Sequence, residues 1–246
     1  VTLDPPTLLY SSERFVVPDK PAGWLSVPSR MGVADIRPCV GKVLEEALKI
    51  RLWPVHRLDL EVTGILLFAK DAEAHRLANY WFENRLVGKT YEALSSGDPA
   101  QTSEQTFTWR SNLLRGKKRA YESPHGKPSE TSARVLRIVN LADGPAILWH
   151  LEPHTGRPHQ LRYELSRHEF PILGDQLYGS DRPCPSSLPN QNRLEKQPYI
   201  QDDNHSIALR CVSLDFSRCP EAHSLGLPEV LTAPSLPRCY GLEEIS

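Results

Sequence analysis

His56, Arg57 and Asp59 stand together in the run "PVHRLDLEVTGILLFAK", directly before one of the most apolar stretches of the chain. A carboxylate that enters a core is costly unless something pairs with it. Asp59 is therefore either half of a structural ion pair or part of a chemistry. If Val55 to Asp59 is extended, Arg57 and Asp59 point to one face and His56 and Leu58 to the other. That alternation sets a guanidinium beside a carboxylate at a strand edge, and on this stretch alone both readings stand.

Three further stretches carry reactive or basic side chains. "HTGRPHQLRYELSRHEFPILGDQLYG" packs Arg157, His159, Gln160 and Arg162 into six positions. Its histidines do not suit a metal: His154 and His159 are five apart, about 140° around a helix, and no thiol or carboxylate completes a tetrahedral set. "LLRGKKRAYESPHGKPSET" holds the strongest basic cluster, Arg115, Lys117, Lys118 and Arg119, beside Tyr121. It reads equally as a solvated hairpin tip or as a nucleic-acid surface. In "GKTYEALSSG", Tyr91 is either a core aromatic or a ring offered to a ligand.

The elements that must position these residues follow from periodicity. "ERFVVPDKPAGWLSVPS" reads as two extended pieces broken by prolines and a glycine. "CVGKVLEEALKI" has helical spacing, and "TGILLFAK" is an apolar run of strand length. Asp71 is an N-cap for a helix over "AEAHRLANYWFENRLVG", with Leu77, Tyr80, Trp81 and Leu86 on one face and a stop near Gly88. "KTYEALSSG", "QTFTWR", "ETSARVLRIVN", "PAILWHLEP" and "SIALRCVSLDF" are strands, and "RPHQLRYELSRH" is a short helix. Residues 180–205 and the Pro-rich tail 217–246 lack a period and read as loop or loosely packed surface. Without a regular βαβ alternation, the fold class is α+β around a mixed, mainly antiparallel sheet flanked by helices.

Composition narrows the function classes. A hydrophobic fraction of 39% and a charged fraction of 24% are ordinary for a soluble globular chain of 246 residues. No apolar run approaches the roughly 18 residues of a membrane span. The five scattered cysteines, without a C-x-x-C, exclude a disulfide framework and fit a reducing cytosol. A net charge of −1 means that any polyanionic partner must be met by local patches.

Taken in order, these stretches resemble the RluA-type pseudouridine synthases, which isomerise uridine in RNA. "HRLDLEVTGILLFAK" is similar to the family's H-R-L-D and T-S-G element, with Val62 for threonine and Thr63 for serine. "GRPHQLRYEL…PILGDQLYG" resembles its G-R-T-H-Q-I-R…GD…YG element, with Pro158 for threonine. "KTYEAL", "HGKPSET", "DKPAGWLSVP" and "APSLP" match further family stretches. The match runs from about Pro6 to Pro237; Leu209, Arg210 and Cys211 depart from a usual Leu-His-Ala, and the 180–205 segment is longer than usual.

The resemblance implies a pseudouridine synthase fold in one catalytic domain over 1–246, with 180–205 an insertion. No S4-like module is expected, since only about twenty residues precede "DKPAG", too few for a domain. It places the catalytic aspartate on Asp59, the active-site tyrosine on Tyr91 and the arginine that pairs with the aspartate on Arg162. RNA would be bound by Arg57, Arg115, Lys117, Lys118, Arg119, Arg157, His159 and Gln160. The implied substrate is transfer RNA or large-subunit (23S-type) ribosomal RNA, met by a cytoplasmic monomer with no metal, no organic cofactor and no membrane. The rivals are an RNA-binding chaperone on the same scaffold, a hydrolase built on Asp59, and an unrelated structural domain.

Overall fold

The piece read as extended in "ERFVVPDK" is the strand around which the first of two units forms in a computed structural model. The structure describes residues 3–29, 35–102, 106–185 and 206–242. The first unit comprises the chain up to Gly88 together with Cys211–Ala233; the second begins at Lys89 and takes in Ser206–Arg210 and the residues from Pro234.

The first unit carries β1 (Leu8–Ser11), β2 (Phe15–Lys20), α1 (Val40–Leu48), β3 (Trp53–Pro54), β4 (Thr63–Ile65), β5 (Phe68–Ala69) and α2 (Ala72–Glu83). Late in the chain it adds β11 (Leu209–Asp215), from Cys211 on, and β12 (Val230–Thr232). β2 pairs antiparallel with β1, β4 and β5. Phe15, Val16 and Val17 are all fully buried, as a strand covered on both faces requires. The apolar run "TGILLFAK" is not one strand. It breaks into β4 and β5 at Leu66 and Leu67, whose N–H groups donate to Pro18 O (3.2 Å) and His56 Nε2 (3.1 Å).

α2 starts where the N-cap reading put it. The Asp71 carboxylate accepts from Ala74 N at 2.9 Å, and Arg14 beside it holds the Asp71 carboxyl down at about 2. The buried face is Ala74, Ala78 and Trp81, whereas Tyr80 points outward. Two alanines let the helix lie close to its neighbours, which a face of large side chains would not. The helix also ends at Glu83, before Gly88, which opens the next strand.

The second unit contains β6 (Gly88–Ser95), from Lys89 on, with β7 (Thr106–Arg115), β8 (Ala120–Glu122), β9 (Lys127–Leu141), β10 (Gly144–Pro153), α3 (Gln160–Arg167) and α4 (Leu236–Cys239). β6–β10, β10–β9, β9–β7 and β7–β8 are antiparallel pairs. β7 alternates cleanly, with Trp109, Ser111 and Leu113 buried and Arg110 and Asn112 exposed. The buried Trp149 of β10 is ringed by Phe107, Trp109 and Phe170, with centroids 5.1–5.7 Å away, and its indole N–H donates to Ser95 Oγ at 2.8 Å.

The tail departs from its reading as loosely packed surface. Leu227, Leu231 and Leu236 are buried, β12 pairs with β11, and α4 begins at an Ser235 N-cap. Those leucines are spaced by prolines and polar residues, so no period announces them. Of the expected insertion, residues 186–205 lie outside the described residues.

Gly64 is the tightest backbone approach of the first unit. Its φ is +108°, and a Cβ there would stand 2.1 Å from Cys211 O. Gly64→Ala should therefore destabilise the fold by at least ~2 kcal/mol, from strain and forced separation of main chains. Chemical denaturation of the variant and the parent checks this.

Candidate active site

The main chain around Asp59 is clamped on both sides. On the N-terminal side, Ser26 Oγ donates to Leu58 O at 2.9 Å and accepts from Leu58 N at 3.0 Å. On the C-terminal side, the fully buried Lys20 sends Nζ to Leu60 O (3.0 Å), Val62 O (2.7 Å) and Pro21 O (3.0 Å). Gly23 N also donates to Leu60 O, and Val62 N to Asp59 O. An ammonium has three protons in tetrahedral directions, and here three carbonyls receive them. Burial pushes the Lys20 amine down to about 7, against the opposing pull of Glu61, Asp59 and Asp19.

Residues 55–59 do not alternate as an extended segment would. Val55 and Leu58 are buried, Arg57 is exposed and Asp59 is half-buried. Arg57 makes no ion pair with any described residue, so the reading of a structural Arg57–Asp59 pair fails. His56 is a structural residue. Its Nε2 accepts from Leu67 N, which puts any proton on Nδ1, and its ring stacks on Phe82 at 4.9 Å.

In the second unit, Tyr91 sits mid-strand on β6 opposite Leu151, half-buried. Arg162 lies in the first turn of α3 and is 2% exposed. Its Nε and Nη2 donate to the two carboxylate oxygens of Asp175 at 2.7 and 2.8 Å, and Asp175 is 1% exposed. The guanidinium lies 5.3 Å over the ring of Tyr178. This fork-to-fork geometry is the strong form of such a pair. Gly174, at φ +84°, makes the preceding turn possible, since a Cβ there would meet Ser206 O at 2.5 Å.

The remaining sequence-predicted residues fall into three groups. Arg115 and His159 are brought together, with Arg115 Nη1 2.9 Å from His159 Nε2. His159 Nδ1 is 3.0 Å from the Tyr178 hydroxyl, which accepts from Ala120 N at 2.6 Å. Burial first of all pushes that phenol up to about 12. Lys117, Lys118 and Arg119 form the exposed turn between β7 and β8, and their side chains have no ion-pair or hydrogen-bond partner among the described residues.

Gln160 is a correction. Gln160 is buried, and its amide is saturated by Glu130 O, Thr131 Oγ1, Thr155 Oγ1 and Arg157 N. It fixes the loop before α3 and has no donor or acceptor left for RNA. Arg157 is half-buried and donates to Pro128 O at 2.9 Å, tying that loop to β9. The histidines weighed for zinc are held apart: His150 by Glu152, His154 by Ser132, His168 stacked on Trp109. Among the described residues no cluster of three metal-ligating side chains occurs.

Two residues of the site elements escaped the sequence reading, Lys20 and Asp175. Each was visible as a charge inside a quoted stretch, "DKPAG" and "ILGDQLYG", set among apolar and turn residues.

The sequence profile described as RNA pseudouridylate synthase matches residues 14–167. A dual-specificity RNA pseudouridine synthase RluA of Vibrio vulnificus is 31% identical over 185 residues, 71% of each chain. A tRNA pseudouridine synthase C of Salmonella typhi is 31% identical over 185 residues, covering 71% of this chain and 70% of that one. The ribosomal large subunit pseudouridine synthase D of Borreliella burgdorferi is 33% identical over 187 residues, 71% of this chain and 55% of that one. In structure, human RNA Pseudouridylate Synthase Domain Containing 1 superposes with a TM-score of 0.69 at 23% identity, covering 98% of this chain and 89% of that one. That last likeness speaks to the fold.

Two outcomes are expected from this geometry. Arg162→Ala leaves the Asp175 carboxylate buried without its counter-ion and should lower stability by ~3–5 kcal/mol, read from denaturant midpoints. Lys20→Met should cost ~1–3 kcal/mol for each buried carbonyl left without a donor. Lysine in the unfolded chain keeps its proton up to 10.5, whereas the folded one loses it at about 7. Between these values the unfolded state binds more protons, so raising pH through that window favours the folded parent. The stability gap between parent and Lys20→Met should widen from pH 7 to pH 9.5; a gap that stays constant would show that Lys20 does not titrate there.

Proposed function

The chain belongs to the RNA pseudouridylate synthase family, in its RluA-type branch; it is an RNA pseudouridine synthase, and we propose that Asp59 is the carboxylate that acts at the ribose. The observation that carries this reading is the family match itself, which spans Asp59, Tyr91 and Arg162 in one stretch. The clamp of Lys20 and Ser26 on either side of Asp59 supports it, because a catalytic group gains from a main chain that cannot drift.

The reaction breaks the N1–C1′ bond of a uridine and joins C1′ to C5 of the same base. N1 gains a proton and C5 loses one, so the product is an isomer and no cofactor enters the balance. Asp59 serves as nucleophile toward C1′, stabilising positive charge on the sugar as in glycoside hydrolysis, or as base toward the adjacent ribose carbon. Tyr91 stacks on the uracil and holds it while it is detached. The two N–H groups that Arg162 gives to Asp175 fix the plane of its guanidinium.

The target uridine leaves its stack at a cost of a few kcal/mol, and Arg57, two residues from Asp59 and exposed, is placed to occupy the space. The turn of Lys117, Lys118 and Arg119 supplies phosphate contacts that position the strand. The substrate is transfer RNA or large-subunit ribosomal RNA, the targets in the names of the relatives. On this reading residues 1–246 are one catalytic domain, working as a monomer in the cytosol.

Asp59→Asn keeps the size of the side chain and removes its charge. With enzyme in excess over bulk transfer RNA and ribosomal RNA transcripts, it should form no pseudouridine detectable by carbodiimide-based sequencing. It should retain the parent's RNA affinity, which resides mainly in backbone contacts elsewhere. Pseudouridine made by this variant, after excluding deamidation back to aspartate, would remove Asp59 from the essential role.

A further inference from the structure

Beside the basic turn, within the second unit, an open depression of about 420 Å³ is lined by Arg119, Tyr121, Tyr163, Ser166, Arg167 and Tyr178, among others. Its volume lies in the range of roughly 300–1,000 Å³ typical of small-ligand sites. Several polar groups of its lining are engaged. Arg167 pairs with Glu122 at 2.9 Å and Glu164 at 3.0 Å, Ser166 Oγ donates to Tyr178 O, and the Tyr178 hydroxyl holds Ala120 N. The buried Glu164 is further fixed by the Ser111 hydroxyl.

Other lining groups are different. The Arg119 guanidinium and the Tyr163 phenol have no hydrogen-bond or ion-pair partner among the described residues. Tyr121 is 46% exposed, and its ring packs over Gly116, where a Cβ would stand 3.1 Å from Tyr121 Cε1 and 2.9 Å from Arg119 O. A glycine at 116 thus lets the ring rest against the turn instead of sweeping through solvent. An unneutralised cation, a seated aromatic face and a hydroxyl around one cavity select a ligand with an anion, a flat ring and polar oxygens between them. A nucleotide has all three. The lining has no Asn or Gln to read an adenine edge, and Arg119 is assigned to the phosphate, so recognition here is by stacking and charge.

We propose that this depression holds one nucleotide of the RNA strand outside the reacting uridine, its base stacked on Tyr121 and its phosphate on Arg119. The Tyr163 hydroxyl faces the ribose-phosphate. The proposal rests on RNA being the substrate and adds to that reading a second, sequence-tolerant grip on the strand.

The test is fluorescence anisotropy of the whole chain with a 5′-fluorescein single-stranded RNA dodecamer of fixed mixed sequence, and with its abasic counterpart. Tyr121→Ala should bind the base-bearing RNA about five- to a hundredfold more weakly, with less than a twofold change on the abasic oligomer; Tyr121→Phe should restore the parent's affinity. Arg119→Ala should weaken both oligomers and lower the salt slope by about 0.7, one phosphate contact on a single strand. Circular dichroism checks that each variant is folded. Parental affinity of Tyr121→Ala for the base-bearing RNA, equal losses on both oligomers, an unchanged slope for Arg119→Ala, or no binding of either oligomer by the parent would overturn the proposal. Pseudouridine formation by the parent is scored in parallel. Its absence counts against the catalytic reading, whereas its presence with an unaffected Tyr121→Ala counts against the depression alone.

Discussion

A guanidinium taken out of water costs several kcal/mol unless its charge and its hydrogens are both met. The Arg162–Asp175 pair meets that constraint, and the second unit is organised by it. The pair locks the first turn of α3 to the 3-10 turn Gln176–Tyr178 that follows Asp175. Tyr178 then lies under the guanidinium, and its hydroxyl holds Ala120 at the start of β8. From the same hydroxyl the chain of contacts runs through His159 to Arg115 at the end of β7. One buried ion pair thereby fixes the helix, the turn and the basic hairpin to one another. Arg162 cannot be replaced alone, because Asp175 would be left charged and dry.

The first unit solves the corresponding problem without a counter-ion in direct contact. Lys20 is buried against main-chain carbonyls, so the partners are dipoles that the fold cannot lose by substitution. Only the lysine is exposed to mutation. The consequence is a stretch, Leu58 to Val62, whose carbonyls are held from one side by Lys20 and whose Leu58 peptide is held by Ser26. Asp59 emerges from the middle of that stretch. Its position is set by the backbone on either side.

Electrostatics outside these pairs is local. The chain is close to neutral, with 29 basic and 30 acidic residues, so it has no broad field to draw in a polyanion. Positive charge is instead concentrated where carboxylates are missing, on the turn of Lys117, Lys118 and Arg119. Several arginines elsewhere are matched: Arg14 with Asp71, Arg110 with Glu130, Arg182 with Asp143.

Much of this was legible in the sequence. Period-two alternation and β-branched runs located β6, β7, β9, β10 and β11, and Asp71 marked the start of α2 because an N-cap is a local interaction over three residues. The in-order motifs identified the family, and the resemblance singled out Asp59, Tyr91 and Arg162 as its expected site residues. What the sequence did not contain was the list of partners. Arg162 finds Asp175 thirteen positions on, and Lys20 finds Leu60 and Val62 across forty or more. Gln160 looked like a polar residue for a ligand, yet it is a buried strut saturated by Thr131, Thr155 and main chain. The apolar run after Asp59 looked like one strand and is two, since β2 pairs with each half separately. Periodicity reports which face of an element meets the core, because that depends on neighbours a few residues away. Which distant group satisfies a buried charge or amide depends on how strands are ordered in space, and only the tertiary structure decides that.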